Sequence, residues 1–80
     1  MKILRFPLLC DSCNKAINQE SEGMVEWIDD GEIKEVRIVH NPKFSPTGNC
    51  YKHTNHYHRQ DHHLHFILAN PELKEKLSII

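Results

Sequence analysis

The sequence predicts a small α+β domain in which a Cys-x-x-Cys turn and a β-hairpin precede C-terminal helices. Three patterns indicate this order: a short turn between Cys10 and Cys13, β-rich segments on both sides of an Asp-Gly pair, and leucines at helical spacing near the C terminus. A chain of 80 residues buries enough apolar surface for one small domain, so we predict a single domain over residues 1–80.

Composition and charge narrow the classes of function. Hydrophobic residues make up 39% and charged residues 26% of the chain, which is typical of a globular domain. The formal net charge is -1 and the ten Lys and Arg residues are scattered, so no basic stripe for a nucleic-acid backbone is predicted. No run approaches the ~20 apolar residues of a membrane-spanning helix. The composition therefore argues against a membrane partner and does not favour nucleic acid.

The N-terminal segment lacks the pattern of an export signal. Arg5 and Pro7 interrupt its apolar run, and bulky Leu9 precedes Cys10 where a lipoprotein cleavage site needs a small residue. We therefore expect a cytoplasmic protein whose thiols stay reduced. The chain has three cysteines, an odd number, which then indicates metal ligands rather than disulfides.

The N-terminal elements are a short strand and a turn. Residues 3–9 form an apolar run that can be a strand, which Pro7 restricts to a sheet edge or an irregular end. Residues 10–15 are rich in turn-forming residues. Asn14, directly after the second cysteine, suits a left-handed backbone conformation.

A β-hairpin is predicted in the middle of the chain. Its strands are the β-rich segments 24–28 and 33–39, and Asp30-Gly31 between them is a favoured hairpin turn. Residues 41–49 carry prolines, a glycine and small polar residues, so they are predicted to be a loop.

The second half is expected to be helical from about Tyr51 onwards. Two helices are predicted, with Asn70 as the N-cap of the second and Pro71 in its first turn. The apolar residues that would line their inner faces are Leu64, Ile67 and Leu68 in the first helix, and Leu73, Leu77 and Ile80 in the second.

The Cys-x-x-Cys turn is the strongest local signal for chemistry. Two cysteines at this spacing can place both sulfurs about 2.3 Å from one zinc ion, with backbone N–H groups directed at the thiolates. A redox pair of the thioredoxin kind would begin a long helix, whereas here turn-forming residues and a hairpin follow. Cys50, isolated after the predicted loop, is the expected third ligand.

The fourth ligand has two candidates. His40 ends an apolar strand that should lie beside the Cys-x-x-Cys turn, and we expect it to complete the zinc site. His53 is the alternative, because Cys50-Tyr51-Lys52-His53 repeats the two-residue spacing at a predicted helix start. The predicted metal ligands are therefore Cys10, Cys13, His40 and Cys50, with His53 as the alternative to His40. With these ligands, the predicted fold class is a small zinc-binding α+β domain.

Histidines are concentrated in one segment, since six of the seven lie within residues 53–65. In a helix, His58, His62 and His65 would share a face that can hold a second, weaker metal ion. The simpler interpretation is a polar helix face opposite the predicted apolar one. This segment lacks the glutamate of a hydrolytic H-E-x-x-H site.

Two zinc-containing groupings share this order of elements. The turn, the hairpin and ligands near a helix start resemble the treble-clef zinc finger over residues 8–65, which implies a structural zinc ion. The Cys-x-x-Cys opening, the Ile-Val-His strand end and the Leu-rich tail also resemble short zinc-ribbon proteins of bacteria and their phages. That second grouping implies no activity.

Within the treble-clef resemblance, Val39-His40-Asn41-Pro42 and Gly48-Asn49-Cys50-Tyr51-Lys52-His53 resemble the core of an HNH-type nuclease. In such a core, a histidine that ends a hairpin strand activates water, and a later helix histidine binds the catalytic metal. The chain departs from that pattern because Asn41 stands where a second histidine is usual, and because Cys50 and His53 replace the pair of cysteines at the helix start.

Two functional hypotheses follow. In the first, which we prefer, the domain is a non-enzymatic module in which zinc replaces a large core and which binds a protein or nucleic-acid partner. A homodimer through the C-terminal apolar residues is a further expectation. In the second, the protein is an HNH-like metal-dependent nuclease or hydrolase that uses His40 and the helix histidines. Four protein ligands would indicate the first, and three ligands plus water the second.

Overall fold

The predicted β-hairpin lies at the centre of the fold in the computed structural model, which describes residues 5–46, 50 and 57–79. The elements in this part of the chain are β1 (Leu8–Leu9), β2 (Ala16–Ile17), a 3-10 helix (Glu20–Glu22), β3 (Gly23–Asp29), β4 (Ile33–His40), β5 (Arg59–His63), α1 (Leu64–Leu68) and α2 (Pro71–Lys76). β1 and β2 form a small antiparallel sheet, and a second sheet has the strand order β4-β3-β5.

The hairpin is confirmed as predicted. β3 and β4 pair antiparallel, and Gly31 in the connecting turn has φ +105°, a conformation that glycine adopts without strain. The register shifts between Glu26 and Ile28, so that Glu35 and Val36 of β4 lie opposite Trp27. This β-bulge includes Glu35 at φ 52°, and β-bulges in general increase the local twist of their strand.

The segment 59–63 is a β-strand, so the prediction of a helix there is wrong. β5 pairs antiparallel with β3, from Ile28 opposite Arg59 to Met24 opposite His63. β3 is a central strand whose backbone N–H and C=O groups need partners on both edges, and this requirement outweighs the local helical pattern. The predicted start of that helix, at residues 51–56, lies outside the described residues.

The two C-terminal helices are confirmed, although the first is shorter than predicted. α1 has five residues and α2 has six. The Asn70 side chain accepts a hydrogen bond from the Leu73 backbone N–H at 3.2 Å, and Pro71 occupies the first turn, as predicted. Neither helix, nor any other in the described ranges, is long and apolar enough to cross a membrane.

The core forms between the larger sheet, the helices and the Cys-x-x-Cys turn. Its buried members are Cys10, Ile17, Met24, Val25, Trp27, Ile38, Val39, Cys50, Leu64, Ile67, Leu77 and Ile79. The apolar positions come mainly from the hairpin, from α1 and from the residues that follow α2, and Leu73 of α2 packs against them, which confirms the predicted small α+β fold. Ile79 at 3% exposure packs into this core, a placement that the sequence does not decide.

Close packing of α1 on β3 depends on Gly23. A Cβ atom at this position would lie 2.7 Å from Cδ2 and 3.2 Å from Cβ of Leu64. Leu64 is fully buried, so it has little room to move away. The backbone at Gly23 has φ -107°, which alanine also adopts, so the constraint is one of space.

We therefore expect Gly23→Ala to lower the free energy of unfolding by about 1–3 kcal/mol through overpacking. The measurement is the urea unfolding transition of the purified protein. Ser21→Ala, at an exposed position in the adjacent 3-10 helix, is the control and should unfold as wild type does. Equal stability of the two variants would contradict this account of the α1–β3 contact.

Candidate metal centre

The Cys-x-x-Cys segment forms the tight turn that its sequence predicts. The Cys10 N–H donates to the Lys15 carbonyl oxygen at 3.0 Å, and the Asn14 N–H donates to the Cys10 carbonyl oxygen at 3.0 Å. Asn14 has φ 64°, the left-handed conformation expected of the residue after the second cysteine. The Ser12 N–H is directed at the Cys10 sulfur, 3.4 Å away. The turn thus presents two sulfurs toward a common point.

Asp11 attaches this turn to the outer edge of β4. Its backbone N–H donates to the Ile38 carbonyl oxygen at 2.9 Å, and its Oδ2 accepts from the Ile38 N–H at 2.8 Å. Asp11 therefore satisfies both backbone groups of one strand residue, as a neighbouring strand would. Because Ile38 lies two residues before His40, this pairing brings the turn beside the His40 side chain.

His40 is buried at 3% exposure and its ring has contacts at both nitrogens. Nε2 lies 2.9 Å from the Ala16 carbonyl oxygen, which can only accept, so Nε2 carries the proton. In the neutral imidazole, Nδ1 then carries the free lone pair. Nδ1 lies 3.3 Å from the Cys13 sulfur and 3.9 Å from the Cys50 sulfur. A carbonyl on the far nitrogen is the usual arrangement behind a metal-binding histidine.

Cys10, Cys13, His40 and Cys50 together form what we call the Cys3His cluster. Their four ligand atoms lie within 4.8 Å of one another. Tetrahedral zinc with Zn–S distances of about 2.3 Å separates its sulfurs by about 3.8 Å, with sulfur-to-nitrogen separations slightly shorter. The observed spacing is therefore that of four ligands around a single ion. The alternative ligand His53 lies outside the described residues.

The thiols of the cluster differ in acidity. Burial of Cys10 opposes its ionisation, but the hydrogen bonds of its sulfur with backbone N–H groups of Cys13, Ser12 and His40 outweigh burial and lower its pKa to about 6. Burial raises the pKa of the Cys13 thiol, and the sulfurs of Cys10 and Cys50 raise it further. The Cys10 thiol therefore ionises readily, whereas burial and the neighbouring sulfurs oppose ionisation of the Cys13 thiol. A bound cation would supply the charge that lets all three ionise.

The predicted shared face of His58, His62 and His65 is wrong, because β5 replaces the helix. His62 and His63 lie in β5 and His65 in α1. The rings of His63 and His65 stack with centroids 5.3 Å apart. In the described part of the chain, the Cys3His cluster is the one group with metal-ligand spacing, and His53 and His56 lie outside that part.

Sequence reasoning does not anticipate the residues that hold the cluster in place. Asp11 and Ser12 lie inside the Cys-x-x-Cys motif, and their small polar side chains are the one sequence feature that could have indicated that they position the ligands. Ser45, whose Oγ lies 2.9 Å from the Cys50 sulfur, gave no such signal. The Ala16 carbonyl behind His40 is a backbone group, which no residue pattern identifies.

No family model, curated protein or solved structure matches the chain. The treble-clef, zinc-ribbon and HNH resemblances therefore stay predictions, and function is inferred from the geometry of the cluster.

The attachment of the turn through Asp11 is open to a direct test. Asp11→Ala leaves the Ile38 N–H without its acceptor, which should lower the free energy of unfolding by about 1–3 kcal/mol. Asp11→Asn keeps an acceptor oxygen and should lose less. The measurement is again urea unfolding, with Asp30→Ala as a control that removes an exposed ion pair to Lys34 at the hairpin turn. If Asp11→Ala is as stable as Asp30→Ala, Asp11 does not hold the turn.

Proposed function

We propose that the Cys3His cluster binds one zinc ion as a structural metal, and that the protein is a non-enzymatic cytoplasmic module for a protein or nucleic-acid partner. The observation that carries this proposal is the convergence of four ligand atoms within 4.8 Å, from residues of which three are buried.

The donor set favours zinc over other common ions. Three thiolates and one imidazole are soft ligands that suit Zn²⁺ and exclude the oxygen-seeking Mg²⁺ and Ca²⁺. Zn²⁺ also accepts tetrahedral coordination without a redox change. Four protein ligands fill that coordination, so water has no position on the ion, and this closed arrangement is typical of structural sites.

A structural role follows from which segments the ion would join. Cys10 and Cys13 lie between the two-residue strands β1 and β2, His40 ends β4, and Cys50 lies outside the helices and strands. Strands of two residues contribute few hydrogen bonds, and an 80-residue chain buries a small core. The binding energy of the metal would hold these segments together.

Exposed apolar side chains support a role in partner binding. Leu9 is 61% exposed and Tyr57 is 93% exposed, so both can be covered by another molecule. Leu77 and Ile79 are instead buried in the core of their own chain. The homodimer expected through the C-terminal apolar residues stays a prediction.

We expect the purified protein to contain about one zinc ion per chain, measured by elemental analysis, and to unfold on treatment with a strong chelator. Cys10→Ser and Cys13→Ser should each lose the metal, because serine does not replace a thiolate ligand. His63→Ala is the matched control, since His63 is exposed on β5, and it should keep the metal. A protein whose melting temperature does not respond to the chelator has no structural metal.

The choice between His40 and His53 tests the enzymatic alternative. We expect His40→Ala to lose zinc and His53→Ala to keep it, because Nδ1 of His40 faces the sulfurs. An HNH-like nuclease would show the reverse: His40→Ala would keep zinc and the fold, and would lose Mg²⁺- or Mn²⁺-dependent nicking of DNA. Zinc at wild-type stoichiometry in His40→Ala would overturn the ligand set and the non-enzymatic function together.

A further inference from the structure

A buried carboxylate lies at the centre of the larger sheet, near the Cys3His cluster. Glu26 on β3 is 0% exposed, and burying a charge is costly unless ion pairs and hydrogen bonds compensate it. Two arginines from the flanking strands provide that compensation. Nε of Arg37 on β4 lies 3.3 Å from Glu26 Oε2, and Nε of Arg59 on β5 lies 4.0 Å from Glu26 Oε1.

Arg37 also reaches beyond Glu26 to the Cys-x-x-Cys turn. Its Nη2 donates to the Ser12 hydroxyl, and the Ser12 hydroxyl donates to the carbonyl oxygen of Cys50. We call this series of contacts, Glu26–Arg37–Ser12–Cys50, the Arg37 bridge. It joins the middle of the sheet to two of the segments that supply ligand sulfurs.

We propose that the Arg37 bridge positions Cys50 in the metal site and so sets the affinity of the cluster for zinc. This inference rests on the proposed structural zinc. It assigns a role to Glu26, Arg37 and Ser12, none of which is a ligand.

Cys50 is held differently from the other three ligands. Cys10 and Cys13 are held by their own turn, and His40 is held by strand pairing to Gly23. Cys50 lies outside the helices and strands, and side-chain contacts help to hold it. Two of these are the Ser45 hydroxyl at its sulfur, 2.9 Å away, and the Ser12 hydroxyl at its carbonyl. Fixing the carbonyl fixes the backbone from which the thiolate reaches the ion.

The donor and acceptor groups of these residues explain the direction of each hydrogen bond in the Arg37 bridge. A guanidinium has several N–H donors in one plane, so Arg37 can donate to a carboxylate through Nε and to a hydroxyl through Nη2 at the same time. The Ser12 oxygen accepts from Arg37, which leaves its own proton for the Cys50 carbonyl. The buried Glu26 carboxylate holds the guanidinium in place. Hydrogen bonds in such a series strengthen one another.

The test compares zinc dissociation constants by competition with a chromogenic chelator. Ser12→Ala removes the hydroxyl, and Arg37→Lys keeps the charge but removes the planar pair of donors. Groups behind metal ligands change affinity by about 10- to 100-fold, so each variant should bind zinc at least about tenfold more weakly than wild type.

Two matched controls separate the bridge from general effects of substitution. Ser21→Ala changes an exposed serine whose carbonyl bond to Asn41 remains, and Lys34→Gln removes an ion pair at the far end of β4. Both should bind zinc as wild type does. In the Co²⁺-loaded protein, Ser12→Ala should also shift the visible absorption bands, which report ligand geometry, while Ser21→Ala should not.

A double variant tests whether Ser12 and Arg37 act as one unit. The loss of affinity in Ser12→Ala with Arg37→Lys should be smaller than the product of the two single losses, because either change already breaks the bridge. Single losses that multiply fully would overturn the bridge.

Ser12→Ala with wild-type affinity would overturn this inference while the zinc site stands. A wild-type protein that binds no zinc would overturn both the inference and the proposed function. Ser12 is exposed, so its substitution keeps the test decisive even if Arg37→Lys fails to fold.

Discussion

The attachment of the Cys-x-x-Cys turn to the outer edge of β4 is the contact on which the candidate site depends. Asp11 satisfies both backbone groups of Ile38, and His40 follows two residues later on the same strand. The Cys13 sulfur and the His40 ring, 27 residues apart in sequence, lie 3.3 Å apart as a result. Asp11, between the two cysteines, thus makes at this edge of the sheet the hydrogen bonds that an additional strand would make.

The second constraint is the position of β3, which is paired at both edges and buried from Gly23 to Ile28. Its need for a partner on the side away from β4 explains why a histidine-rich segment with helical spacing forms β5. It also explains the charges around Glu26, since a carboxylate in a strand buried on both faces requires cations from its neighbours. Arg37 and Arg59 lie on those neighbours.

These two constraints meet at the Cys3His cluster. Backbone N–H groups lower the pKa of Cys10. Burial, and then the sulfurs of Cys10 and Cys50, raise the pKa of Cys13 and form the opposition to its ionisation. A divalent cation would relieve it and would join short segments that the small core holds weakly. Through Arg37 and Ser12, the ion pairs of the buried Glu26 would then affect the affinity of the cluster for the metal. Stability, metal affinity and sheet electrostatics would be linked in this protein.

The sequence by itself determined what depends on neighbouring residues: the Cys-x-x-Cys turn with its left-handed Asn14, the Asp30-Gly31 hairpin and the Asn70 cap. It also indicated a metal site made of the three cysteines and His40, because the chain has three cysteines and His40 is the one histidine outside residues 53–65. Only the tertiary structure decided that residues 59–63 form a strand. It alone also decided that the Ala16 carbonyl accepts from Nε2 of His40, which leaves the Nδ1 lone pair for the metal. It likewise decided that Glu26 is buried between arginines. Each of these depends on groups brought together from distant parts of the chain, whose pairing a local pattern does not encode.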